Sequence, residues 1–102
     1  MNKRLSQQLK SKLTAGEITP FQYKVYDFIC GIPKGKTLTY KQVAIGIKMP
    51  QAARAVGNAL NKNPLAPEVP CHRVIRSDGT TGGFASGSQK KIQLLKAEGA
   101  IQ

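Results

Sequence analysis

Pro70-Cys71-His72-Arg73-Val74-Ile75 sets the chain's single histidine directly after one of its two cysteines. A thiol with a pKa near ~8.5 is only slightly ionised at neutral pH. A cysteine nucleophile therefore needs a base to take its proton, or an imidazolium to stabilise the thiolate. Val69, Val74 and Ile75 give the stretch β-branched character and predict a short strand through it. Strand neighbours point to opposite faces, so Cys71 and His72 share a proton only through a water or where the strand ends. Adjacency alone is weak. An isolated Cys-His pair is more often a buried cysteine beside a hydrogen-bonded histidine than a catalytic couple.

The elements that would position this pair come from a chain of 102 residues, the size of one domain with a real core. A hydrophobic share of 40% fits an ordinary globule, and no apolar run reaches the ~18 residues of a membrane span. The basic start Met1-Asn2-Lys3-Arg4 is followed by no continuous apolar stretch, so no secretory signal is expected. Cys30 and Cys71 lack disulfide-scaffold density, which favours reduced thiols and a cytoplasmic setting, or a nuclear one in a eukaryote. No C-x-x-C or histidine cluster offers a metal site, and neither metal nor cofactor is expected.

Charge is the informative quantity. Sixteen Lys+Arg against five Asp+Glu give +11, of which residues 1–62 carry +9 and residues 63–102 only +2. Such a bias points to a polyanion, with nucleic acid ahead of an acidic membrane surface or a merely soluble basic face.

Leu5, Leu9 and Leu13 form a thin apolar stripe on a helix that ends near Gly16 and either docks or frays. Thr19-Pro20-Phe21-Gln22 reads as a capping box with proline in the first turn. Phe21, Val25, Phe28, Ile29 and Ile32 then face the core, with Tyr23 and Tyr26 off the stripe and Cys30 as packing. Thr37-Leu38 reads as extended before a second cap, Thr39 with Gln42, opening a helix from Tyr40 to about Ile45. Pro50 opens a third helix from Gln51 to about Asn61. Its smooth face of Ala52, Ala53, Ala55, Gly57 and Ala59 suits either close helix packing or close approach to a DNA groove. The pair reads as a helix-turn-helix, and Arg54 is either a solvated charge or a residue inserted into DNA. Asn63-Pro64 turns the chain toward Cys71, and Ser77-Asp78-Gly79-Thr80 has hairpin chemistry. Residues 81–87 form a glycine-rich loop, and a last helix runs from about Ser88 to Glu98, burying Ile92 and Leu95. The expected fold class is mainly α with a short strand or hairpin (small α/β), a winged-helix-like DNA-binding domain.

From Thr19 to Gly99 the sequence resembles the C-terminal domain of the O6-alkylguanine-DNA alkyltransferases. The motifs are Pro-Cys-His-Arg-Val-Ile at 70–75, Arg-Ala-Val-Gly at 54–57, Asn63-Pro64, Thr39-Tyr40, and Leu94-Leu95 with Glu98-Gly99. The resemblance implies that Cys71 accepts the alkyl group irreversibly. His72 would be its base through a water, and Glu98 would polarise His72. Asn63 would be the hinge asparagine and Arg73 a brace. The helix from Gln51 to Asn61 would enter the minor groove of double-stranded DNA containing O6-alkylguanine, with Ala53, Ala55 and Gly57 at its surface and Arg54 filling the gap of the extruded nucleotide. Tyr40 would rotate the 3′ phosphate and donate toward guanine N3. Backbone groups of Cys71 and Val74 would read the guanine amino group, and the Ala85 amide would donate to O6.

Two departures stand out. Phe84 occupies a place where many members have tyrosine, so stacking is expected without a hydroxyl donor and with slower transfer. Residues 1–18 form a basic extension where the family has an N-terminal domain, and residues 19–102 form the alkyltransferase domain, expected to act as a monomer without a membrane. Chains of this length also occur among alkyltransferase-like proteins, which bind the lesion without repair and typically have tryptophan at the place of Cys71. The cysteine argues for transfer.

Overall fold

The computed structural model describes residues 3–65, 68–76 and 88–99. Its elements are α1 (Lys3–Thr14), α2 (Pro20–Ile29), β1 (Leu38–Thr39), α3 (Tyr40–Gly46), α4 (Ala53–Asn61), a 3₁₀ turn (Cys71–Arg73), β2 (Val74–Ile75) and α5 (Ser88–Ala97). The fold is a small α/β helix-turn-helix. Its two strands pair in parallel, Leu38 with Val74 and Thr39 with Ile75. The expected hairpin at 77–80 and the loop at 81–87 lie outside the described residues.

Both capping boxes form. Thr19 accepts from the Gln22 amide at 3.1 Å while the Gln22 side chain accepts from the Thr19 amide at 2.8 Å. Thr39 and Gln42 repeat this at 3.0 and 2.8 Å. Each box satisfies two donors at a helix start that would otherwise go unpaired. Between α3 and α4 the chain closes a Schellman turn, Met49 N–H to Ala44 C=O and Lys48 N–H to Ile45 C=O, both at 2.9 Å. Lys48 holds the left-handed conformation there, at φ 65°, where glycine is the usual occupant. This turn carries the chain through Pro50 and Gln51, so α4 starts at Ala53 rather than at Gln51.

α1 docks rather than frays: Leu5 and Leu9 join Val25, Tyr26 and Ile29 of α2 in one core with Val43, Val56, Leu60, Val69 and Val74. Complete burial of a leucine such as Leu9 is worth about 2 kcal/mol. The apolar stripe of α2 differs from expectation at two places. Phe21 and Phe28 are half-buried, whereas Tyr26 is fully enclosed. Its hydroxyl crosses to α4 and donates to the Ala59 carbonyl at 2.6 Å, which makes a polar tip compatible with burial.

Candidate active site and DNA-facing groove

The expected strand through Cys71 does not extend that far. Cys71, His72 and Arg73 form a single 3₁₀ turn, closed by the Arg73 amide on the Pro70 carbonyl at 2.9 Å, and extended backbone begins only at Val74. The turn removes the opposite-face geometry of a strand. It also buries both side chains, Cys71 at 1% and His72 at 2% exposure.

Glu98 lies one residue past the end of α5, in a turn rather than on the helix. Its carboxylate joins the end of α5 to the 3₁₀ turn. Oε2 is 3.0 Å from His72 Nε2 and accepts from Arg73 Nη2 at 2.6 Å, and Oε1 accepts from Arg73 Nε at 2.9 Å. Arg73 Nη1 also donates to the Ile32 carbonyl at 2.8 Å, which ties the site to the end of α2. The two-pronged Arg73 contact comes first among the causes that hold the Glu98 carboxyl down at about 2, with His72 adding to it. An ionised carboxylate only accepts, so His72 Nε2 is the protonated nitrogen. The turn at Gly35, φ +87°, packs against this junction; a Cβ there would sit 3.3 Å from the Glu98 carbonyl.

Asn63, also buried, follows α4. Its amide donates to the Val69 carbonyl at 2.8 Å and its oxygen accepts from the Leu65 amide at 2.9 Å. This side chain pins the connection that delivers Cys71. Burial pushes the Cys71 thiol up, and the Asn63 side chain, the Lys91 charge and a backbone hydrogen bond pull it back. Val74 is fully buried beside it.

Tyr40, half-buried at the start of α3, is raised chiefly by burial, with Arg76 opposing. The Lys91 ammonium of α5 donates to its hydroxyl at 3.3 Å and lies 5.5 Å from its ring centroid. Lys91 itself is completely buried, and burial lowers it to about 8. Gly57 of α4 faces the same ring, with room for a Cβ at 3.8 Å. In front of Tyr40 lies an open groove of about 560 Å³, walled by Lys41, Ala53, Arg54, Gly57 and Arg76 among others. Arg54 and Ala55 are exposed, whereas Val56, Ala59 and Leu60 turn inward. The small residues of α4 thus divide between the core and the surface. Phe84 and Ala85 lie outside the described residues, and among those described Cys71 is not part of the groove wall.

Sequence reasoning passed over two residues at this site, Lys91 and Arg76. In sequence Lys91 is one of several basic residues near Ile92, and only the fold shows that it is buried while Lys96 is exposed. The residues of the motifs, by contrast, converge: the Cys71 turn holds Glu98 through His72 and Arg73, and Asn63 and Tyr40 lie near enough to Cys71 to act on its thiol or feel its charge.

A helix-turn-helix that walls a basic groove, together with a buried thiol and imidazole and a part-buried carboxylate, defines a DNA-binding module built around a cysteine. Residues 20–100 match the family described as "6-O-methylguanine DNA methyltransferase, DNA binding domain". The methylated-DNA–protein-cysteine methyltransferase of Methanosarcina barkeri is 54% identical over 84 residues, covering 82% of this chain and 53% of that protein. The Mycobacterium tuberculosis OGT–DNA complex superposes with a TM-score of 0.78 at 44% identity, covering 79% of this chain and 49% of that one. Schizosaccharomyces pombe Atl1, solved with damaged DNA containing O6-carboxymethylguanine, gives 0.71 at 42% identity, covering 78% of this chain and 75% of its own. The chain belongs to the O6-methylguanine-DNA methyltransferase family, in its DNA-binding domain. It spans about half the length of the curated methyltransferases it matches.

Proposed function

We propose that this chain binds duplex DNA carrying O6-methylguanine, turns the damaged base out, and moves the methyl group once and irreversibly onto Cys71. The observation that carries the reading is the buried Cys71-His72 turn whose imidazole is held 3.0 Å from Glu98. With Nε2 committed to Glu98, proton exchange with the thiol runs through Nδ1 and a water. The Sγ–carbon bond forms as the carbon–O6 bond breaks, and the electron pair leaves with the guanine. Tyr40 protonates that guanine at N3, and the proton taken up by His72 returns to Tyr40 through solvent. Arg73 braces Glu98, Asn63 holds the hinge, Arg54 fills the vacated stack, and Ala53, Ala55 and Gly57 let α4 approach the minor groove. Val74, Phe84 and Ala85 bound the base pocket, and residues 1–18 serve as an extension of the domain at 19–102. The protein works as a monomer wherever the cell keeps its DNA.

A second reading, lesion binding without transfer, draws on the likeness to Atl1, which was solved with damaged DNA containing O6-carboxymethylguanine. Mass spectrometry after incubation with a duplex containing one O6-methylguanine separates the two. Transfer gives a stoichiometric gain of about 14 Da on the Cys71 peptide, absent from Cys71→Ser, which still binds the lesion. Tight binding with no gain in the wild type selects the second reading.

A further inference from the structure

β1 and β2 end side by side with Thr39 paired to Ile75, and the residues that follow them, Tyr40 and Arg76, both line the groove. Arg76 is exposed there and walls the groove together with Lys41 and Arg54. The groove wall thus carries three cations and, among the described residues, no carboxylate. Arg54 and Lys41 stand on the two helices of the helix-turn-helix, whereas Arg76 comes from the strand that leaves the Cys71 turn. We infer that Arg76 is a phosphodiester clamp: its guanidinium grips the backbone phosphate of the nucleotide that leaves the stack, from the active-site side of the groove. The inference rests on the lesion-flipping reading and deepens it.

The chemistry fits an arginine. A guanidinium presents a planar fork of donors that meets two phosphate oxygens at once. An exposed cation with no carboxylate beside it among the described residues pays little desolvation cost before its anion arrives. Its charge also reaches the two polar groups behind it, drawing both Tyr40 and Lys91 downward. An anion seated on Arg76 thus lies next to the residue proposed to protonate the leaving guanine. Contacts to an intact duplex are made by α3 and α4; Arg76 adds its contact only once the nucleotide has rotated toward Tyr40. The clamp therefore predicts a lesion-dependent effect.

The test is a fluorescence-anisotropy titration of the full chain with two duplexes, one undamaged and one holding a single O6-methylguanine, over a range of salt. Arg76→Ala is expected to weaken the lesion duplex about tenfold and to lower its salt slope by about 1, with at most a twofold change on the undamaged duplex. Arg76→Lys is expected to keep the slope and recover part of the affinity. Equal losses on both duplexes would make Arg76 a general DNA contact and overturn the clamp, as would no loss on either. Displacement of the lesion duplex by inorganic phosphate at matched ionic strength would identify a free-anion site and overturn it too. A wild-type chain that binds both duplexes equally refutes the lesion reading itself, before any variant is compared. A urea melt of each variant confirms that the exposed substitution leaves folding unchanged.

Discussion

Glu98→Gln isolates the charge at the junction of His72, Arg73 and the end of α5. The substitution keeps the shape of the side chain and removes the carboxylate that accepts from Arg73 at 2.9 and 2.6 Å. In the folded chain the Glu98 carboxyl is held at about 2 instead of its ordinary 4.5, first by Arg73 and then by His72. A group depressed on folding adds stability above its unfolded pKa and loses it as pH falls through the folded value. The undiscounted shift corresponds to about 3 kcal/mol, and screening by the solvent that reaches the carboxylate brings this to about 2 kcal/mol. At pH 7 the variant is expected to be less stable by about 2 kcal/mol, or about 10 °C in Tm for a domain of this size. The gap should shrink between about pH 4.5 and pH 2, where wild-type Glu98 takes up its proton and becomes isosteric with glutamine. Other carboxylates titrate in both proteins and cancel in the difference. Paired urea melts at pH 7 and pH 2 make the measurement. A gap that persists unchanged at pH 2 refutes the electrostatic argument, and no gap at pH 7 refutes the importance of the junction. Single-turnover transfer at pH 7 should also slow, because His72 loses the negative charge that favours its proton on Nε2 and an imidazolium in the transition state.

Two further substitutions probe how the fold holds the site. Tyr26→Phe leaves the buried Ala59 carbonyl without its 2.6 Å donor and should cost about 1–3 kcal/mol, read as a lower urea midpoint. An unchanged midpoint would mean that the α2–α4 tie contributes nothing net. Lys48→Gly relieves the left-handed residue at φ 65° and should stabilise the chain by about 0.5–1 kcal/mol, the gain reduced by the greater freedom of glycine in the unfolded chain. Thermal melts of the two proteins decide the sign.

Local chemistry made much of the fold legible. Each capping box is an interaction across three residues, so Thr19 with Gln22 and Thr39 with Gln42 announce their helices without any tertiary information. The Leu5 and Leu9 stripe likewise gave the helix, though not whether it docks. The strands were harder to read, since two residues cannot show an alternating pattern, and their pairing links positions 38–39 to 74–75. The extent of the strand at Cys71 went astray for a related reason. β-Branched residues on both sides favoured an extended reading, and the actual turn follows a connection held by the Asn63 hydrogen bonds to Val69 and Leu65.

The sequence by itself determined the candidate chemistry: a Cys71-His72 pair, Glu98 and Asn63 in motif order, and a basic helix-turn-helix carrying Arg54. Tertiary structure decided what surrounds them. Tyr26 looked like a surface tyrosine until α4 supplied a carbonyl 33 positions away. Lys91 had no sequence feature to set it apart from Lys90, and its burial against Tyr40 spans 51 positions. For Arg73, expected from the resemblance to be a brace, folding supplied the partners, Ile32 and Glu98, across gaps of 41 and 25 residues. Periodicity and caps are written within one turn of helix, but a buried charge is defined by partners that only folding brings within reach.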